Sequence, residues 1–157
     1  MYKVLFVCSG NTCRSPMAEG VFRHKVAAAG LAGRVDADSV GTRSRHDGGP
    51  PDARAIAAAG ARGYDLSALR SRQLGPRDFA AFDLLLAMDR GHYDHMIERA
   101  SGEASDRIHM FLEHAPETGR TSVPDPYFGD AADYERALDL IEAGTDAWLD
   151  RIRTAIA

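Results

Sequence analysis

Seven residues near the start of the chain, Cys8-Ser9-Gly10-Asn11-Thr12-Cys13-Arg14, join a thiol to a guanidinium through small and turn-forming residues. Five residues separate Cys8 from Arg14. That is enough for a loop to curl round one tetrahedral oxyanion with successive backbone N–H groups turned inward. A helix starting behind the loop adds its positive end, and Gly10 offers the backbone freedom that a tight path asks for. Arg14 brings a planar fork able to hold two phosphate oxygens. Cys8 stands at the entrance, where a nucleophile would lie beneath phosphorus in line with a leaving oxygen, and the same donors favour thiolate over thiol. A Walker lysine pattern and a magnesium-binding arrangement are both missing, which disfavours a nucleotide-binding loop. A bare cysteine and arginine at this spacing read as well as a buried structural thiol and a surface cation. The apolar run before them and Arg14-Ser15-Pro16 after them argue for a phosphate cradle.

Such a loop must be held by flanking elements. Residues 2–7 (Tyr-Lys-Val-Leu-Phe-Val) read as a buried strand. Ser15 then reads as a helix cap before a proline at the first helical position, and Met17, Val21, Phe22 and Val26 recur at helical spacing until Gly30. A second strand is expected over residues 35–40. A Gly/Pro-rich loop over residues 41–51, expected to be exposed, leads into an alanine-rich helix over residues 52–59. Residues 82–87 read as a third strand, with Asp89 capping a helix over residues 90–99, and a fourth strand is expected near residues 107–110. Tyr134, Leu138, Ile141, Thr145, Trp148, Leu149 and Ile152 fall on one stripe of a long C-terminal helix. Strands alternating with helices predict a parallel α/β sandwich, with ligands bound beyond the carboxyl ends of the strands. The first such end is Cys8.

The chain has 157 residues, 45% of them hydrophobic and 27% charged, which predicts one domain over residues 1–157 with a core that needs no disulfide framework. Its net charge of -4, with scattered cations, gives no footprint for nucleic acid or anionic lipid, and its apolar runs are too short to span a bilayer. The absence of a leader pattern after Met1 points to the cytoplasm. Only two cysteines occur, and the six histidines form no ligand pattern, so neither a metal nor another cofactor is expected.

The run Val7-Cys8-Ser9-Gly10-Asn11-Thr12-Cys13-Arg14-Ser15-Pro16-Met17-Ala18-Glu19 resembles the signature loop of the low-molecular-weight protein tyrosine phosphatases. Further matches include Asp38-Ser39-Val40-Gly41-Thr42, His46 with Gly48 and Pro50, the stretch from Asp83 to Arg90, and Pro124-Asp125-Pro126-Tyr127, so the likeness is nearly full length. It implies a three-layer sandwich with a four-stranded parallel sheet in the order 2-1-3-4. It also implies hydrolysis of phosphotyrosine through a phosphocysteine, with Cys8 as nucleophile and Arg14 binding phosphate. A phenolate leaving group wants a proton and the attacking water must later lose one, and Asp125 matches the family's general acid and base. Its flanking prolines restrict the backbone that aims it.

The resemblance also assigns supporting roles. Ser9, Gly10, Asn11, Thr12 and Cys13 are implied as the phosphate loop, and the Ser15 hydroxyl as a donor to the thiolate. Asn11, which tolerates a left-handed backbone, is implied as a brace with Ser39, and Tyr127 as a wall against the substrate ring. Cys13 reads either as a buried filler or as the partner of a reversible disulfide with Cys8. His46 and Asp89 read as loop-packing and helix-capping residues. Two positions depart from the pattern. Arg45 stands where many members carry an aromatic residue, and its charge suggests attraction to acidic residues flanking the phosphosite. Thr12 replaces a larger aliphatic residue and matches the protein arginine phosphatases of the same superfamily, which keeps phosphoarginine as the alternative substrate. A non-catalytic phosphopeptide-binding module would be expected to lack Cys8, Arg14 or Asp125, and a thioredoxin-coupled arsenate reductase needs a further cysteine after Cys13. Expected partners are phosphotyrosine proteins, a bacterial tyrosine kinase among them, for a monomer or weak dimer.

Overall fold

A computed structural model of the chain describes residues 1–43 and 47–157; Arg45 and His46 therefore lie outside the described residues. Strand β1 (Tyr2–Cys8) is followed by α1 (Arg14–Ala28), β2 (Val35–Gly41), α2 (Ala53–Ala61), the short α3 (Asp78–Ala81), β3 (Leu84–Ala87), α4 (Arg90–Arg99), β4 (Ile108–Met110) and the long α5 (Ala131–Ile156). The four strands form one parallel sheet in the order β2-β1-β3-β4.

Alternation along β1 divides the core. Val4, Phe6 and Cys8 pack with Met17, Val21 and Phe22 of α1 and Leu138, Ile141 and Trp148 of α5. Leu5 and Val7 face the other way, into a cluster with Phe79 of α3 and Met96 of α4. Side chains two apart on a strand share a face, so an apolar strand with no polar face needs cover on both sides. The helices supply it, giving three layers. All seven positions of the expected C-terminal stripe are buried on α5. Among the described residues no helix is long and apolar enough to cross a membrane.

Several expected boundaries shift. The third strand begins at Leu84 because Asp83 is drawn into bonds with Lys3, its amide donating to the Lys3 carbonyl at 2.9 Å and its carboxylate accepting from the Lys3 amide at 2.8 Å. Helix α1 begins at Arg14, so Ser15 is not its cap: the Cys13 carbonyl accepts the Met17 amide at 3.1 Å, and Cys13 caps without a side-chain bond. Pro16 falls in the first turn, where its missing N–H leaves no intrahelical bond unmade. The 41–51 loop is less exposed than its composition suggests, since Gly41, Thr42 and Pro51 are buried. A Cβ on Gly41 would lie 2.5 Å from the Ser9 carbonyl oxygen, so the end of β2 must be glycine for the loop after β1 to pack on it.

Candidate active site

The loop from Cys8 to Arg14 has its carbonyls turned outward. The Cys8 carbonyl accepts the Thr42 amide at 2.9 Å, that of Ser9 accepts the Arg43 amide at 2.9 Å, and that of Thr12 accepts the Asp52 amide at 2.8 Å. The Gly10 carbonyl accepts the Ser71 hydroxyl at 3.2 Å. Among the described residues, no protein acceptor takes the amide N–H groups of residues 9–14. Buried amides are normally paired, so a run of unengaged donors marks a place for an anion. The first turn of α1 adds its own unpartnered N–H groups at the same end.

The left-handed residue of this loop is Asn11, at φ 55°, and not Gly10, whose added Cβ would meet only Thr12 Oγ1 at an ordinary 3.5 Å. Asparagine tolerates that conformation, and its buried side chain holds it there. Asn11 Nδ2 donates to Ser15 Oγ at 2.8 Å and to Ser39 Oγ at 2.9 Å, while its Oδ1 accepts the Arg72 amide at 3.0 Å. Ser39 in turn donates to Glu19 at 2.8 Å; burial pushes the Glu19 carboxyl upward against the bonds it receives from Arg23 and Ser39. The loop thus rests on a braced polar layer.

Cys8 Sγ lies 2.9 Å from Ser15 Oγ. Because Ser15 accepts from Asn11, its own proton is available to a thiolate, with the Val40 carbonyl at 3.2 Å as the alternative acceptor. Arg14 is buried, and its Nη1 donates to Asp89 Oδ2 at 2.9 Å and to the Val123 carbonyl at 3.0 Å. One side of the fork is therefore fixed by protein. Nη2 faces the cleft, 3.6 Å from Asp125 Oδ2.

Asp89 caps α4 as expected, its Oδ1 accepting the His92 amide at 3.0 Å, but its second oxygen anchors Arg14. Burial opposes ionisation of Asp89, yet the His92 amide and the Arg14 guanidinium outweigh it and hold the carboxyl below the usual range. With the folded value lowered, the stabilisation is present above the ordinary carboxylate range and is lost as pH falls through the lowered value. Asparagine also caps helices, so Asp89→Asn separates the two roles. The expected result is a folded enzyme whose kcat/KM drops about tenfold to a hundredfold, the scale of a lost hydrogen bond to a charged group. A thermal melt run alongside the kinetics checks it; unchanged kcat/KM would mean that Arg14 is placed without Asp89.

Cys8, Ser9, Gly10, Thr12, Cys13, Arg14, Asp125 and Tyr127 line one cleft of about 440 Å³, whereas Asn11 and Ser15 lie buried beneath it. Asp125 is half-exposed at the rim, its Oδ1 accepting the Tyr127 amide at 3.1 Å. Its loop is tied to the sheet by the Val123 amide, which donates to the Met88 carbonyl at 2.8 Å. Tyr127 stands half-exposed, with the Arg54 guanidinium 5.3 Å from its ring centroid. The same guanidinium lies 5.2 Å from the ring of Tyr134, so Arg54 backs the cleft wall.

Sequence reasoning missed Phe128, almost wholly exposed beside Tyr127, and Arg43, both of which line the cleft. It also missed that His92 reaches Ser9. The pattern Asp89-x-x-His92 at the carboxyl end of a strand was the available signal. Among the described residues, no group of three or more His, Cys, Asp or Glu is arranged to hold a metal ion.

The two cysteines are both free thiols and differ in surroundings. Burial pushes the Cys13 thiol up to about 11, more than its bonds to Tyr134 and Thr12 bring it down. Cys13 is thus almost wholly protonated at neutral pH and a poor nucleophile. Cys13→Ala should keep kcat/KM within about threefold while lowering stability by about 1–2 kcal/mol for a small buried truncation; steady-state kinetics and denaturant titration would check both. A collapse of kcat at full folding would instead put Cys13 in the chemistry.

The model of the low molecular weight phosphotyrosine protein phosphatases matches residues 3–156. A low molecular weight protein-tyrosine-phosphatase of Streptomyces coelicolor is 39% identical over 158 aligned positions, covering 99% of this chain and 96% of the relative. A protein tyrosine phosphatase of Entamoeba histolytica, solved with Hepes in its active site, superposes with a TM-score of 0.95 at 31% identity over the full length of both chains. YwlE of Bacillus subtilis, an arginine phosphatase, superposes at 0.85 with 28% identity over 96% of this chain and 95% of YwlE, in a variant with a phosphorylated active-site serine.

Proposed function

This chain belongs to the low molecular weight phosphotyrosine protein phosphatase family, and on that premise we propose that it hydrolyses phosphotyrosine in proteins through a phosphocysteine at Cys8, with Asp125 as general acid and then base. The observation that carries this reading is the run of outward carbonyls and unengaged amides between Cys8 and Arg14, facing a cleft that Asp125 enters from the other end of the chain.

Phosphate seats against the amides of residues 9–14 and the cleft-facing Nη2 of Arg14, which meet the charge without reorganising. The Cys8 thiolate attacks phosphorus, the S–P bond forms as the P–O bond to the phenol breaks, and the Asp125 carboxylic acid gives its proton to the departing oxygen. Asp125, now a carboxylate, takes a proton from the incoming water. Water oxygen bonds to phosphorus, the S–P bond breaks, and inorganic phosphate leaves with the thiolate restored. Ser15 Oγ, at 2.9 Å from the sulfur, stabilises the thiolate as attacking and as leaving group. No step calls for a metal ion. The phosphorylated active-site serine of the YwlE variant supports a side-chain phosphoenzyme in this fold.

Tyr127 in the cleft favours an aromatic substrate, since a ring can pack against its face. Thr12 in the same cleft, with the likeness to an arginine phosphatase, favours phosphoarginine as the second reading. Turnover of matched phosphotyrosine and phosphoarginine peptides decides between them: a kcat/KM ratio favouring phosphoarginine would transfer the chain to that activity. Acid-quench trapping should yield phosphate on Cys8. We place this activity in the cytoplasm, in a single-domain monomer or weak dimer, with a bacterial tyrosine kinase among its substrates; dephosphorylation of such a kinase and sedimentation of the pure protein test those two points.

A further inference from the structure

Ser9, His92 and Asp89 form a contact chain beside the cleft that the mechanism leaves unused. His92, the third residue of α4, is 3% exposed. Its Nε2 lies 2.9 Å from Ser9 Oγ, and its Nδ1 lies 3.2 Å from the Asp89 amide nitrogen and 3.1 Å from Asp89 Oδ1. The composition is that of a Ser-His-Asp relay, in which Nδ1–H would donate to the carboxylate and Nε2 would draw the proton from serine. The backbone decides otherwise. A backbone amide N–H can only donate, and among the described residues the one acceptor for that of Asp89 is His92 Nδ1. Asp89 Oδ1 already accepts from the His92 amide at 3.0 Å, and Oδ2 from Arg14. A proton on Nδ1 would set two N–H groups against each other. Burial also disfavours the charged ring, drawing its pKa down to about 4, so it carries a single proton at neutral pH. That proton is on Nε2, and it is donated to Ser9 Oγ.

The consequence falls on Ser9. Once its oxygen accepts from His92, its own proton must point elsewhere. Among the described residues no protein acceptor takes it, and Ser9 lines the cleft with Cys8 and Arg14. We propose that the Ser9 hydroxyl is a further phosphate donor, added to the loop amides, and that His92 is the positioning residue that turns its proton into the cleft. This rests on the phosphate-binding reading of the loop.

The inference is tested by a double-mutant cycle. Ser9→Ala removes the donor. His92→Asn keeps an acceptor near the Asp89 amide but cannot reach Ser9. Inhibition by inorganic phosphate and kcat/KM for an aryl phosphate are measured on each single variant and on the pair. The expected result is phosphate binding weakened about tenfold or more by either change, as for one lost hydrogen bond to a charged group, with the double variant no worse than Ser9→Ala alone. Ring-nitrogen NMR of the unaltered protein should find Nδ1 unprotonated and Nε2 protonated, a readout independent of the variants' folding. Unchanged phosphate inhibition in Ser9→Ala, losses that multiply in the double variant, or a proton on Nδ1 overturns the proposal. So does a Ser9 adduct with a fluorophosphonate, which would reveal the relay. Failure of the underlying reading has a different signature: a Cys8→Ser protein that binds no phosphate at all.

Discussion

Cys8→Ser should lower kcat by at least about 10⁴-fold while phosphate and vanadate still bind. The magnitude is the scale on which removal of a covalent nucleophile acts in other hydrolases. The binding should survive because the anion's partners are elsewhere: the amides of residues 9–14, the cleft-facing Nη2 of Arg14 and the first turn of α1. Serine also keeps the contact with Ser15, which lies 2.9 Å from the sulfur, so the loop has no reason to reorganise. A serine hydroxyl, however, is a far weaker nucleophile toward phosphorus than a cysteine sulfur. Isothermal titration with phosphate, paired with single-turnover kinetics, reads both quantities. Turnover surviving the substitution would remove Cys8 from the reaction, and Asp125 or a bound water would then have to supply the nucleophile.

The second large effect is expected at Asp125. Asp125→Asn should lower kcat by about 10²- to 10³-fold on phosphotyrosine, the range for a lost general acid and base. The deficit should depend on the leaving group. Phenols that leave readily as anions need no proton, so an activated aryl phosphate should recover most of the first step and leave hydrolysis of the phosphoenzyme as the slow one. Asparagine keeps the bond from the Tyr127 amide at 3.1 Å, so the loop geometry is retained and only proton transfer is lost. Values of kcat/KM, which report the first step alone, across a series of aryl phosphates would give the answer. An equal loss for good and poor leaving groups would show that Asp125 acts by placing Arg14, 3.6 Å away, and not by moving a proton. Measured beside Asp89→Asn, the two substitutions separate the carboxylate that anchors the guanidinium from the one proposed to move a proton.

Much of the architecture was legible because local rules agreed with one another. The apolar run of β1, the stripe on α5 and Asp89 as a cap all depend on period or on one side chain meeting the backbone a few residues on. The boundaries that moved did so where a distant partner intervened, as at Asp83, which is drawn to Lys3. The start of α1 moved for a related reason. The Ser15 hydroxyl, which by itself would suit a cap, is claimed by Cys8 and Asn11. The left-handed turn fell on Asn11 and not on Gly10, because the side chain of Asn11 gains three partners there and glycine has none to gain.

By itself the sequence determined the thiol, the guanidinium and the small residues between them, the alternation of strands and helices, and hence a cradle at the end of the first strand. Those are consequences of residue type and short-range spacing. Only the tertiary structure decided which way each donor faces: that Asp89 holds one side of Arg14, that Arg54 backs Tyr127, and that His92 reaches Ser9 from another strand's end. Parallel strands bring their carboxyl ends together from distant stretches of chain, and a proton's direction depends on partners that no spacing rule reaches.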